Sequence, residues 1–146
     1  MTALAANRMR HVRNIDGVKD GAITGVDSDE FYTGGMLSLS AAASTVIPSS
    51  DTASERGVGV CIERVTTGTS NTTKIRFEWG HEEWFAHTGL AAGQEGKDAV
   101  ISDDQTVTDA AAASNDVPIG MITEIETIGG VAGAWILVGI FSGTNA

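Results

Sequence analysis

This sequence is poor in the residues that staple or poison folds. Of its 146 residues one is cysteine and two are proline. Cys61 alone excludes an intramolecular disulfide and any two-cysteine metal site within the chain. Flanked by Val60 and Ile62, it reads as a small buried thiol in a strand. Basic residues are also scarce: 9 Lys and Arg stand against 19 Asp and Glu, a formal charge of −10 and a pI near 4.5. A general nucleic-acid binder needs the opposite balance, so DNA and RNA are not expected partners. No apolar run approaches the roughly 20 residues of a membrane helix, and Met1 to Ala6 is too short and too weakly apolar for a secretory leader. The expectation is therefore a soluble protein made in the cytoplasm, with no membrane partner.

Catalytic signatures are missing as well. The chain has no Gly-x-Ser-x-Gly elbow, no phosphate loop and no dinucleotide fingerprint. Asp103-Asp104 is a carboxylate pair, but adjacent strand residues point to opposite faces, and Ser102 to Gln105 reads as a turn. His81, Glu83 and His87 would share one face of a strand and offer a metal set. Against it, the histidines would lie ~20 Å apart along a straight strand, with Phe85 between them. No enzyme, metal or cofactor is expected, and surface histidines beside two tryptophans are the simpler account.

What the chain has is β-pattern. Pro118 to Glu126 alternates, with Ile119, Met121 and Ile125 on one face and Glu124 and Glu126 on the other. Gly129-Gly130 marks a turn, and Ala134 to Phe141 returns as an unbroken apolar strand that needs cover on both sides. Strands are also expected at 36–39, 57–65, 74–79, 82–86, 99–101 and 106–108, with Pro48 arguing against a central strand around it and a loop at 109–116. In 74–79 Ile75, Phe77 and Trp79 face inward, and Lys74, Arg76 and Glu78 outward. A shift of 61 positions lays the first half on the second without a gap. Gly35 then meets Gly96, Val46 meets Val107, Gly59 meets Gly120, Ile75 meets Ile136 and Phe77 meets Val138. The expected fold is all-β: a small β-barrel or sandwich-like domain over 31–146, built from a duplicated β-unit at about 35–80 and 96–141.

Residues 1–30 lack an apolar face and read as an extended N-terminal arm. Arg8, Arg10, Arg13 and Lys19 make it basic, so it is expected to dock on an acidic neighbour, a sister subunit or a larger partner. Trp79, Trp84 and Trp135 hold most of the large aromatic surface. Trp84, beside Phe85 and following Glu82-Glu83, is the best candidate for an interface anchor. An exposed Trp79–Trp84 platform for carbohydrate or a receptor is the alternative.

Taken together, the order of pieces from about Gly34 to Phe141 resembles the capsid decoration, or cement, proteins of tailed bacteriophages. The residues that carry the likeness are a Gly-opened strand before a Ser/Ala-rich connection, and Val58-Gly59-Val60 echoed by Pro118-Ile119-Gly120-Met121. Between them runs Gly96-Lys97-Asp98-Ala99-Val100 leading to Asp103-Asp104-Gln105-Thr106-Val107. The resemblance implies a β-barrel-like subunit, commonly a homotrimer, on the outer capsid surface of the virion where major capsid proteins meet. It does not cover the basic arm or the aromatic segment from Glu78 to Phe85.

Overall fold

The computed structural model describes residues 4–40, 45–70, 72–109 and 113–139, and over these the chain is all-β. Its strands are β1 (Val12–Arg13), β2 (Lys19–Thr24), β3 (Glu30–Phe31), β4 (Met36–Leu39), β5 (Val46–Pro48), β6 (Arg56–Cys61) and β7 (Val65–Thr66). They continue with β8 (Lys74–Trp79), β9 (Glu82–His87), β10 (Asp98–Asp103), β11 (Thr106–Thr108), β12 (Pro118–Ile125) and β13 (Gly133–Val138). A single 3-10 turn, Ile15–Gly17, joins β1 to β2. Ile140 and Phe141 of the expected return strand, and the middle of the alanine stretch at 110–112, lie outside the described residues.

The second half closes on itself. Strand order runs β9-β11-β10-β12-β13, and β13 returns to pair with β9, giving a five-stranded barrel. β9 is antiparallel to β13 and parallel to β11. Phe85, Ile101, Val107, Ile122, Ala134, Ile136 and Val138 are all buried in its core. β12 and β13 are joined through Gly129 (φ 59°) and Gly130 (φ 81°), closed by reciprocal Ile128–Val131 hydrogen bonds. Two successive residues at positive φ match the right-handed strand twist, which is why glycine serves at both.

The first half repeats the plan. Its sheet runs β2-β8-β6-β4-β5, the same order strand for strand, and β2 meets β5 through one parallel bridge, Gly25 to Val46. Leu37 faces Gly59 as Ala99 faces Gly120, and Leu39 faces Val46 as Ile101 faces Val107. Cys61 faces Phe77 as Ile122 faces Ile136. Gly34 donates to the Cys61 carbonyl as Gly96 donates to Ile122, and the two glycines have φ of 89° and 90°. The two halves thus correspond in their strand pairing, with a register that differs from the ungapped shift. Gly34, not Gly35, is the counterpart of Gly96, and Phe77, not Ile75, that of Ile136. Val46–Val107 and Gly59–Gly120 stand as the ungapped shift placed them. A bulge between Ile122 and Glu124 and unequal loops absorb the difference, which a gapless shift does not see.

Phe31, Leu37, Val46, Cys61, Ile75 and Phe77 form the core of this half, whereas Met36 and Val60, on the other face of their strands, join the barrel's core cluster. Trp79 packs against both. The first thirty residues do not form one arm, because β2 is a full member of the first sheet. It carries little apolar signal because Gly21 lies beneath aromatic rings: a Cβ there would come within 3.2 Å of Phe77 and 3.3 Å of Trp79. A strand that lends backbone rather than side chain to a core shows no alternation.

Candidate functional site

The chain before β2 is a strap wrapped on the barrel, and its polarity is inside out. Asn7 Oδ1 accepts the Thr33 amide, Arg8 N donates to the Thr33 carbonyl, and β1 pairs Val12 and Arg13 with Glu83 and Glu82. Leu4 N reaches the Asp104 carboxylate at 2.8 Å. Period-two geometry puts Arg8 and Arg10 on one face, turned inward, and Met9 on the other, turned out. Met9 is 80% exposed, and Val12, Ile15 and Val18 follow it on the surface.

Glu83 is the hub beneath the strap. Its side chain is fully buried, and it accepts from Arg8, from Arg10 (2.6 and 3.0 Å) and from His81 (2.8 Å). Arg10 also reaches Glu78 at 2.5 Å. Arg8 spans from the Gly34 carbonyl to the Trp84 carbonyl and lies 4.2 Å over the Phe85 ring. Burial alone would raise the Glu83 carboxyl, but hydrogen bonds from His81 and Arg10 and the charges of both arginines hold it below the usual carboxylate range. Burial lowers the Arg8 guanidinium against the pull of Glu83, while Arg10 overcomes its own burial and is raised. His81 Nδ1 is buried without a partner, which fits the tautomer that carries its proton on Nε2 and donates it to Glu83.

This arrangement changes the membership of the metal set that the sequence raises and sets aside. Glu78, His81 and Glu83 bring ligand atoms within 4.8 Å of one another. His87 is not among them; its Nδ1 accepts the Leu90 amide. The Arg10 guanidinium sits between all three, 3.5 Å from His81 Nε2, and a cation already placed there leaves no room or need for an ion. The cluster is a structural ion pair network.

The expected interface anchors are reassigned too. Arg8, Arg10 and Arg13 are spent within the chain, Arg13 on Glu82 (3.3 Å) and Glu124 (2.9 Å). Phe85 is barrel core. Trp84 is 7% and Trp135 8% exposed, and Trp79 is half-buried between the sheets. Trp84 lies against Gly133 and donates to the Glu126 carbonyl at 2.8 Å, with the His11 ring edge-on at 5.7 Å. Trp135 donates to Glu126 Oε1 and is capped by the Arg13 guanidinium at 4.0 Å. No open stacking face remains for a sugar at Trp84 or Trp135. At Trp135 the cover that the apolar return strand required comes from Arg13 of the chain's own strap. Sequence alone misses the strap because Arg8 and Arg10 lie 68 to 75 residues from the acids they meet. The available signal was Glu83 between His81 and Phe85 on one face of a strand, a carboxylate beside a core aromatic.

The electrostatics set an acid limit. Glu82, like Glu83, is held low against its burial, by hydrogen bonds from Thr123, Asn14 and Arg13. Groups depressed in the fold stabilise it above their ordinary value of 4.5 and lose that contribution as pH falls through the folded values. Glu55 and Asp104, raised by burial, act with the opposite sign. Urea midpoints measured against pH are expected to fall steeply below about pH 4.5, and the Glu83→Gln variant is expected to flatten that fall.

No family model and no curated protein matches the chain. The class that the fold defines is a small all-β protein built around a closed five-stranded barrel.

Proposed function

We propose that this is a structural virion protein that binds the outer surface of an assembled phage capsid and stabilises it by bridging major capsid protein subunits. The observation that carries the reading is the strap's outward row. Met9, Val12, Ile15 and Val18 are four of the five exposed large apolar side chains among the described residues, and all fall within ten positions. Four such side chains along one short segment of an acidic protein point to an association site. The resemblance from Gly34 to Phe141 names the class of partner. The attachment mechanism differs from a positively charged tether, since the cations are internal and the grease is outside. Binding only the assembled shell raises its stability by mass action, and many equal contacts on one lattice add avidity.

The test is co-sedimentation with expanded shells of the parent phage. The double substitution Met9→Asp with Ile15→Asp is expected to lower shell occupancy at least about tenfold, one strong contact's worth. Its urea midpoint is expected to stay within experimental error, because both side chains are already in solvent. Full occupancy by that variant would refute the assignment of the strap as the docking surface.

A further inference from the structure

The duplication exposes an unmatched edge. In the barrel, β9 uses one edge for β13 and the other for β11, which pairs only at Ala86 and His87. The remainder of that edge is filled by the strap: β1 pairs with Glu82 and Glu83, and Trp84 N donates to the His11 carbonyl at 3.0 Å. β2 is the counterpart of β9 in the first half, since Gly21 faces Phe77 as Glu83 faces Ile136 and Ile23 faces Ile75 as Phe85 faces Ala134. There β5 also covers only the far end, through Gly25 and Val46. Nothing among the described residues plays the part of the strap.

The backbone accounting shows what is left over. Gly25 N donates to Thr73 O in register with the β2–β8 ladder. Alternation therefore turns the backbone groups of Lys19, Gly21 and Ile23 toward β8, and those of Asp20 and Ala22 away from it. Ala22, the counterpart of Trp84, points its N–H where Trp84 meets His11, yet no described acceptor stands there. Both Asp20 and Ala22 are exposed. The edge carries no proline and no bulge, Gly21 and Ala22 offer no bulk, and its charged guards, Lys19 and Asp20, stand at one end only.

We infer that β2 is a pairing edge and that its occupant is β2 of a second copy, antiparallel about a two-fold axis near Ala22. Charge selects this occupant. On the outer face Asp20 lies opposite Glu78 at one end of the ladder, and Thr24 lies opposite Lys74 at the other. A two-fold pairing sets Asp20 of each copy opposite Thr24 of its mate, one strand spacing short of the mate's Lys74, within about 10 Å. Acid end meets basic end twice, as an isologous contact requires. The two sheets become one, running β8-β2-β2-β8 through the axis. This is a two-fold contact in place of the three-fold one that the resemblance implies. It uses a surface separate from Met9, Val12, Ile15 and Val18, and it does not depend on the capsid reading.

Sedimentation equilibrium of the full chain, with Ala22→Pro beside it, tests the inference. Proline removes only an N–H that the β2–β8 ladder does not use, so the variant is expected to keep its far-ultraviolet spectrum and Tm. The wild type is expected to dimerise in the micromolar range and Ala22→Pro to weaken the dimer at least ~100-fold, the loss of a backbone pair and the clash of a ring at the axis. Asp20→Lys is expected to weaken it about tenfold and Asp20→Lys with Lys74→Glu to restore it. A wild-type monomer, or a dimer or trimer that Ala22→Pro leaves intact, overturns the inference. So does an Ala22 amide protected from hydrogen exchange at every dilution, which would mean that the chain covers its own edge. If the wild type is monomeric and Ala22→Pro loses capsid binding, the edge takes a capsid strand instead. A dimer that persists while Met9→Asp/Ile15→Asp loses the shell leaves the pairing standing and separates it from the docking surface.

Discussion

Replacing Glu83 with alanine is expected to cost about 3–5 kcal/mol of folding stability, the range for breaking a buried ion pair by removing one partner. The residue is fully buried, and its loss takes the shared carboxylate from two part-buried guanidinium groups, leaving Arg8 only the Gly34 and Trp84 carbonyls and Arg10 only Glu78, and strands the His81 Nε2 proton. Glu83→Gln keeps an acceptor but not the charge and is expected to fall between alanine and the wild type. Deleting residues 1–13 removes both arginines, the β1 pairing and the strap's cover together, leaving Glu83 with His81 and incoming water, and is expected to destabilise by a similar amount. That would make the strap part of the folding unit rather than the extended arm that the sequence suggests. Urea unfolding at pH 7 measures all three. A change below about 1 kcal/mol for Glu83→Ala, the worth of an exposed pair, would mean that water reaches the cluster.

Gly120→Ala is expected to be as severe. A Cβ at Gly120 would overlap the Leu137 carbonyl oxygen across the β12–β13 ladder, and backbone cannot swing aside as a side chain can. Its counterpart Gly59 sits the same way, with a Cβ placed 2.6 Å from the Glu78 carbonyl. Each substitution is expected to cost about 3 kcal/mol or more, at the diagnostic end of single mutations. Gly129→Ala is the contrast, since it meets open space and bears only the strain of a φ of 59°, about 1 kcal/mol. Thermal unfolding of the three variants should therefore separate close approach from turn geometry. A Gly120→Ala protein as stable as Gly129→Ala would contradict the register drawn between β12 and β13.

Those two residues also mark what sequence can tell. Gly59 and Gly120 fall in step under a simple shift because a duplicated ladder needs the same gap twice, and strand alternation at 74–79 is a local property. The turn at Gly129-Gly130 is local too. The strap is not. Whether Arg8 and Arg10 face a partner or their own chain depends on Glu78 and Glu83, far away in sequence, and charge composition is silent on which acid is near. Gly21 shows a second limit. As a strand residue that makes room for Phe77 and Trp79, it leaves β2 without a pattern, so a sheet strand passed for arm. The buried pair Asp103 and Asp104 shows a third: the tight turn was legible, but the burial of both acids depends on how the loop is packed, with Asp104 receiving the Leu4 amide.

Under the proposed function, this molecule holds a protein shell together through the exposed apolar residues of its strap. Differential scanning calorimetry of expanded shells measures that most directly. Saturating wild-type protein is expected to raise the temperature of the shell's disassembly transition, and Met9→Asp/Ile15→Asp to leave it where it lies without any addition. A transition that does not move with the wild type, or that moves equally with both, would contradict it.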